Sequence, residues 1–236
     1  MKDGYKNSSV SLVEVQAAAE QLSINSWSPA EADAIYVALE HPNWAPWLEA
    51  SAGTLAGRAQ AFPQAFPHGQ LVIKDMRGQY AASLSMNQIL WDGDIAHLLS
   101  WDAIAGEPTD YSKTYDVMGN ALVMMSVNVA HAWKGKQMPT KLVSYGKDVA
   151  KGLGLDRLIV SIRPSGFGKA KKEMGHDLDF ETYCWSVQEG TGKPIDPWLR
   201  SLSWSGLELL AVNVAAMTVN VPIGEFEGYI AGYKPD

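Results

Sequence analysis

The segment WKGKQMPTKL at 133–142 places lysines, a glycine and a proline in an order that suits an anion site at the mouth of a helix. The first turn of a helix presents amides without intrahelical partners and a partial positive charge, so phosphate can sit there without special chemistry. Gly135 permits close backbone approach, Lys134 and Lys136 can neutralise charge, and Pro139 fits a first turn, where its missing amide costs little. A basic surface turn has the same composition, so both readings stand at this point. Two nucleotide fingerprints are excluded, because neither GxxxxGK[ST] nor GxGxxG occurs. His41, His68, His97 and His131 lie apart with no HExxH or carboxylate spacing, so no metal site is expected. Cys184, the single cysteine, has no adjacent base in YCWSV and reads as core filler, with no disulfide to form.

The elements that must position this loop follow from periodicity. GNALVMMSVNVAHA at 119–132 reads as a strand, and KLVSYGKDVAKG at 141–152 as a helix with Leu142, Val143, Tyr145 and Val149 on one stripe and a glycine stop. LDRLIVSIRP at 155–164 is the next strand, ended by proline. Strand, basic turn, helix, strand makes one β-α-β unit, with parallel pairing of 121–129 and 157–162. Upstream, 69–89 reads as a hairpin turning at Arg77-Gly78, and 10–22 and 28–40 read as helices, the second with a Ser/Pro start. The small-residue, proline-rich stretch 52–70 reads as a loop. WDAIAG is helix-like, 180–188 forms a short helix, and DPWLRSL, GLELLAVNV and FEGYIAG supply terminal elements. The expected organisation is a helical extension and loop over 1–65 joined to one integrated α/β core over 66–236.

Composition bounds the function. The chain has 236 residues, 47% hydrophobic and 19% charged, long enough to bury about 70% of its unfolded surface. Nine Trp and nine Met suggest an apolar groove as well as a core. The formal charge of −7 lacks the basic surplus of a nucleic-acid binder. Lys134/Lys136/Lys141 and Lys169/Lys171/Lys172 are the compact basic groups, each suited to one phosphate cluster or to a solvated face. No apolar run reaches membrane-spanning length and MKDGYKNSSV has no signal core, so no membrane partner and a cytoplasmic location are expected.

The stretch SVNVAHAWKGKQMPTKLVSYGKDVAKGLGLDRLIVSIRP resembles the core of the GNAT superfamily of N-acetyltransferases. Trp133 stands at that family's aromatic position, Lys134 replaces its arginine, Gly135 matches, and Gln137 and Pro139 replace later glycines. The resemblance implies a GNAT fold: a mixed, mostly antiparallel sheet with a central parallel β-α-β unit. It implies that the backbones of Met125, Val127 and Val129 pair with pantetheine, and that Trp133, Lys134, Gly135, Lys136, Gln137 and Met138 hold the diphosphate of coenzyme A. The two lost glycines imply a looser grip on the diphosphate, or a carrier-protein phosphopantetheine arm. Further blocks, YAASLSMNQILWDGDI, RPSGFGKAKK, FETYC, GKPIDPWLRSL and GEFEGY, are similar to the GNAT-like decarboxylase domains of polyketide synthase loading modules.

That narrower resemblance implies decarboxylation of a malonyl or methylated malonyl thioester, carried on coenzyme A or an acyl carrier protein, with no tightly bound cofactor. Acyl transfer to a carrier protein can accompany it. His176 and Thr140 match the group's histidine and threonine, which donate hydrogen bonds to the developing enolate. Arg163 and Arg200 are candidate cations for the substrate carboxylate, and Trp91 and Asn87, with Trp133, are candidate pocket walls. Two rival readings are amine acylation, for which Glu173, Asp177, His176 and Tyr183 are the candidate actors, and a non-catalytic carrier-protein docking module.

Overall fold

The computed structural model describes residues 22–65, 69–106, 110–175 and 177–232. Strand β1, Ser23–Ser26, opens the described chain. It is followed by a helical segment made of a 3-10 turn (Pro29–Glu31), α1 (Ala32–Ile35) and a π-helical stretch (Tyr36–Glu40). The start expected at Ser28 is present: the Ser28 amide and hydroxyl both donate to Glu31 Oε2, at 3.0 and 3.1 Å. The helix expected at 10–22 lies outside the described residues apart from Leu22. Helix α2 spans Ala52–Ala65. This corrects the loop reading of 52–70: most of the small residues there are alanines, strong helix formers, and Leu55 and Ala59 bury against Trp27, Ile35, Leu39 and Val72.

The hairpin forms as expected, from β2 (Gln70–Lys74) and β3 (Tyr80–Ile89). Helix α3 (Trp101–Ala105) lies in the excursion before β4 (Ala121–Val129). Helix α4 (Met138–Gly152) and β5 (Arg157–Val160) complete the β-α-β unit. Helices α5 (Phe167–Met174), α6 (Phe180–Trp185), α7 (Pro197–Trp204) and α8 (Ile223–Gly232) follow, while GLELLAVNV is irregular. The sheet runs β1-β2-β3-β4-β5, antiparallel except for the parallel β4–β5 pair. The N-terminal extension therefore adds an edge strand as well as helices. Among the described residues, no helix is long and apolar enough to cross a membrane.

Strand alternation gives the sheet two unlike faces. On one, Ala82, Leu84 and Met86, with Met124 opposite Met86, pack in the main core with Leu142, Val143 and Val149 of α4. Gly146 lets α4 settle closely, since a β-carbon there would stand 3.0 Å from Met124 Sδ. On the other face β3 carries Ser83, Ser85 and Asn87, and every one of them is buried. A polar face of this kind ordinarily meets water. Here it lies beneath the N-terminal extension.

Candidate active site

Two irregularities in β4 make the cleft. Ser85 pairs with Ser126 but Met86 pairs with Met124, so Met125 is an extra residue that bulges from the ladder. Its carbonyl is taken by the Trp101 indole at 2.9 Å. The parallel pairing with β5 stops at Met124↔Val160, with a last bond from the Ser161 amide to the Met124 carbonyl at 3.1 Å. Beyond it β4 continues to Val129 on β3 alone, and the two parallel strands part. The Ala130 amide donates to the Ala81 carbonyl at 2.9 Å, so alternation turns Asn128 and Ser126 towards β3 and Val129 and Val127 towards the gap. Asn43 Nδ2 reaches the Val129 carbonyl from that side at 3.2 Å. The amide and carbonyl of Val127 thus face the opening.

The loop at the end of β4 forms the mouth of α4. A 3-10 turn, His131–Trp133, buries the Trp133 indole in the core, and Lys136 Nζ lies 4.6 Å over that ring. Lys134, Gly135, Lys136 and Gln137 are exposed, while Met138 is buried. Gly135 takes φ +79° with open space where a side chain would be. Gln137 takes φ +56°, the one non-glycine left-handed residue among those described. The backbone therefore keeps a glycine-like shape at a position where the sequence has lost the glycine. Among the described residues, the amides of Gly135, Gln137, Met138 and Thr140 have no hydrogen-bond acceptor, as befits an anion-binding helix start.

Thr140 sits exposed in the first turn of α4 beside these amides. Arg163 is exposed just past the end of β5. Arg200 Nη1 donates to the Pro194 and Ile195 carbonyls at 3.0 and 2.9 Å, tying the C-terminal elements together. Asn87 is fully buried and its Nδ2 donates to the Ile104 carbonyl, the Tyr111 carbonyl and Thr114 Oγ1. Trp91 is buried, with its indole on the Asp94 carbonyl and the Arg157 guanidinium 5.2 Å over the ring. Both side chains hold the excursion between β3 and β4. His176 lies outside the described residues. Asp196 is wholly buried and joins the start of α5 to α6 and α7: it accepts from the Gly166 amide, the Tyr183 hydroxyl, and the Trp198 and Leu199 amides at 2.7–3.0 Å. Burial, reinforced by Asp196, raises the Tyr183 hydroxyl above its usual range. Of the other residues considered for amine acylation, Glu173 faces Lys169 at 3.7 Å and Asp177 is exposed.

Sequence reasoning missed a buried polar cluster on the Ser83–Ser85–Asn87 face. Asn128 Nδ2 donates to Glu40 Oε2 at 2.6 Å and Asn128 Oδ1 accepts from the Trp44 indole at 2.5 Å. Glu40 Oε1 accepts from the Ala50 amide at 2.8 Å. Burial pushes the Glu40 carboxyl above the usual carboxylate range, while the Ala50 amide, Arg58 and Asn128 pull the other way. Arg58 of α2 is buried, with its guanidinium 4.2 Å over the Tyr111 ring. The available signal was the alternation of polar residues in β3, together with Arg58 as the one basic residue of α2 and Glu40 at the end of the run Tyr36–Leu39.

No family model and no curated protein sequence matches the chain. Solved structures do. The loading GNATL domain of CurA from Lyngbya majuscula is similar at a TM-score of 0.62 and 11% identity, over 79% of this chain and 84% of that one. The GphF GNAT-like decarboxylase in complex with isobutyryl-CoA is similar at a TM-score of 0.55 and 21% identity, over 74% and 80%. Together with the mixed sheet, the bulged and parting β4 and the amide-rich mouth of α4, these matches show that the chain has the GNAT fold, in a form shared with both GNAT-like domains.

Proposed function

We propose that the protein decarboxylates a malonyl or methylated malonyl thioester, carried on coenzyme A or on an acyl carrier protein, to leave a short starter acyl group. The observation that carries this reading is the gap between β4 and β5, with the Val127 backbone facing it and the unpaired amides of Gly135, Gln137, Met138 and Thr140 at its end. A pantetheine arm is a strand-like chain with two amides, and it pairs with such an edge as an added strand would. Its phosphate falls at the helix mouth, where Lys134 and Lys136 supply positive charge. That a GNAT-like decarboxylase of the same fold binds isobutyryl-CoA supports the assignment.

In the reaction the bond between the α-carbon and the carboxylate carbon breaks and CO2 leaves. The electron pair moves onto the thioester as an enolate, whose carbon then takes a proton from water. Neither metal nor nucleophile is needed. Donors aimed at the thioester oxygen stabilise the charge as it develops, and His176 is assigned that role. Thr140, expected as its partner, stands in the first turn of α4 beside the amides that take the phosphate, which suits it to the phosphate end of the arm. Arg163, exposed beyond β5, steers the anionic substrate into the gap. Transfer of the acyl group to a carrier protein would use the same arm.

The test is intact mass spectrometry of malonyl, methylmalonyl and dimethylmalonyl thioesters incubated with wild type and His176→Ala, beside an amine panel. Loss of 44 Da from at least one thioester, reduced about 100-fold in the variant, is expected for a lost transition-state donor. Acylated amine with no CO2 release would replace this reading with amine acylation.

A further inference from the structure

The exposed side of α4 carries charge of nearly one sign. From Lys134 to Lys151 the chain has five lysines against a single acid, Asp148, in a protein of formal charge −7. Lys134, Lys136, Lys141, Lys147 and Lys151 are all exposed. Helical spacing sets the last three on the outer side of α4, away from Leu142, Val143 and Val149 in the core. Phosphate at the helix mouth needs only the amides there, with Lys134 and Lys136. The stripe runs further, since Lys147 and Lys151 lie about 13 and 20 Å along the axis from Met138.

An exposed tryptophan stands beside this stripe. Trp204, the last residue of α7, is 72% exposed. Its neighbour ties it to α4, because Lys147 Nζ donates to the Ser205 carbonyl at 2.6 Å. Lys193 Nζ lies 5.3 Å from the centroid of the indole and donates to Ser203 Oγ at 3.0 Å. A tryptophan in water among cations combines the aromatic anchor and the charge that recognition surfaces use. An interface at the small, transient end of the range buries about 600 Å² on each partner, a patch roughly 28 Å across. That is wide enough to take in the mouth of α4, Lys147, Lys151 and Trp204 together.

We infer that this face, formed by Lys141, Lys147 and Lys151 with Trp204, docks an acidic carrier domain that delivers the thioester on its phosphopantetheine arm. The inference rests on the thioester reading above and names the partner of that site and where it sits. The arm of a carrier ends in a phosphate ester on a serine of the carrier's own surface. With that phosphate at the helix mouth, the carrier must lie against the residues around the mouth, and those of α4 are lysines. A formal charge of −7 repels an acidic partner from the chain at large, so a lysine face at the entrance of the arm orients the encounter. Trp204 adds the apolar contact that charge alone lacks. Coenzyme A brings no protein surface, so it gains nothing from Lys151 or Trp204.

The probes are coenzyme A and the acidic carrier protein of bacterial fatty-acid synthesis bearing its phosphopantetheine arm, with Kd read by fluorescence anisotropy. Wild type should bind the carrier about 10-fold more weakly in about 0.3 M salt than in about 0.03 M. Trp204→Ala, and Lys147→Glu combined with Lys151→Glu, should each weaken the carrier about 10-fold. The Kd for coenzyme A and CO2 release from malonyl-CoA should stay within about twofold of wild type. Lys151→Glu alone keeps the Lys147–Ser205 bond and should show a smaller loss of the same kind, which separates docking from the packing of α7. No carrier binding by wild type, or unchanged carrier affinity in the variants, would overturn the inference. Equal losses for carrier and coenzyme A would overturn it too, by making the face part of a nucleotide site. A wild-type dimer that Trp204→Ala dissolves would assign the face to a second copy of the chain instead. If no CO2 is released but the selective loss of carrier binding remains, the docking face stands and the decarboxylase reading falls. CO2 release from malonyl-CoA without carrier binding gives the reverse.

Discussion

Gln137 shows how a single residue can hide a site from sequence comparison. The substitution of a glycine suggested a looser loop, yet the backbone holds the left-handed shape at φ +56° and carries its strain. Gln137→Gly should therefore stabilise the protein by about 1 kcal/mol and leave coenzyme A affinity intact. A urea midpoint that falls instead would mean that the side chain makes a contribution larger than the strain. Lys134, Gly135 and Lys136 could stand out as candidates because an anion site at a helix start would be built from adjacent residues, and adjacency is what a sequence displays. The buried Glu40–Asn128 cluster was illegible for the opposite reason. Glu40 meets Asn128 across 88 positions of chain, and no local pattern carries a contact of that span.

At the scale of elements, the β-α-β unit, the hairpin and the α6 segment were readable because their apolar periods are strong and their stops are glycine and proline. Helix α2 was not, because alanine and glycine carry no period and its proline, Pro63, resembles loop punctuation; tertiary burial of Leu55, Arg58 and Ala59 decides it. The parting of β4 and β5 depends on a bulge at Met125, one surplus residue in a strand whose apolar run conceals it. Asp196 does for the C-terminal elements what the bulge does for the sheet, joining α5, α6 and α7 through four donors. Asp196→Ala leaves these donors without their carboxylate and should cost about 3 kcal/mol. It should also lower turnover, because the segment carrying His176 hangs between α5 and α6. A loss of stability with turnover per folded molecule unchanged would show that this anchor does not position the site.

Across the whole molecule, the extension and the core are mutually dependent. The extension supplies β1, the cover for the polar face of β3, and Glu40 and Arg58, whereas the core supplies the gap and the helix mouth. A thioester would thus run from the basic loop at one end of β4 along the open edge of that strand. The most direct test of this path is a crystal structure with a non-reactive malonyl-CoA analogue bound. The account predicts pantetheine amides on the Val127 backbone and diphosphate on the amides of Gly135, Gln137 and Met138. A map that places the analogue on another face, with the space between β4 and β5 filled by side chains, would contradict it.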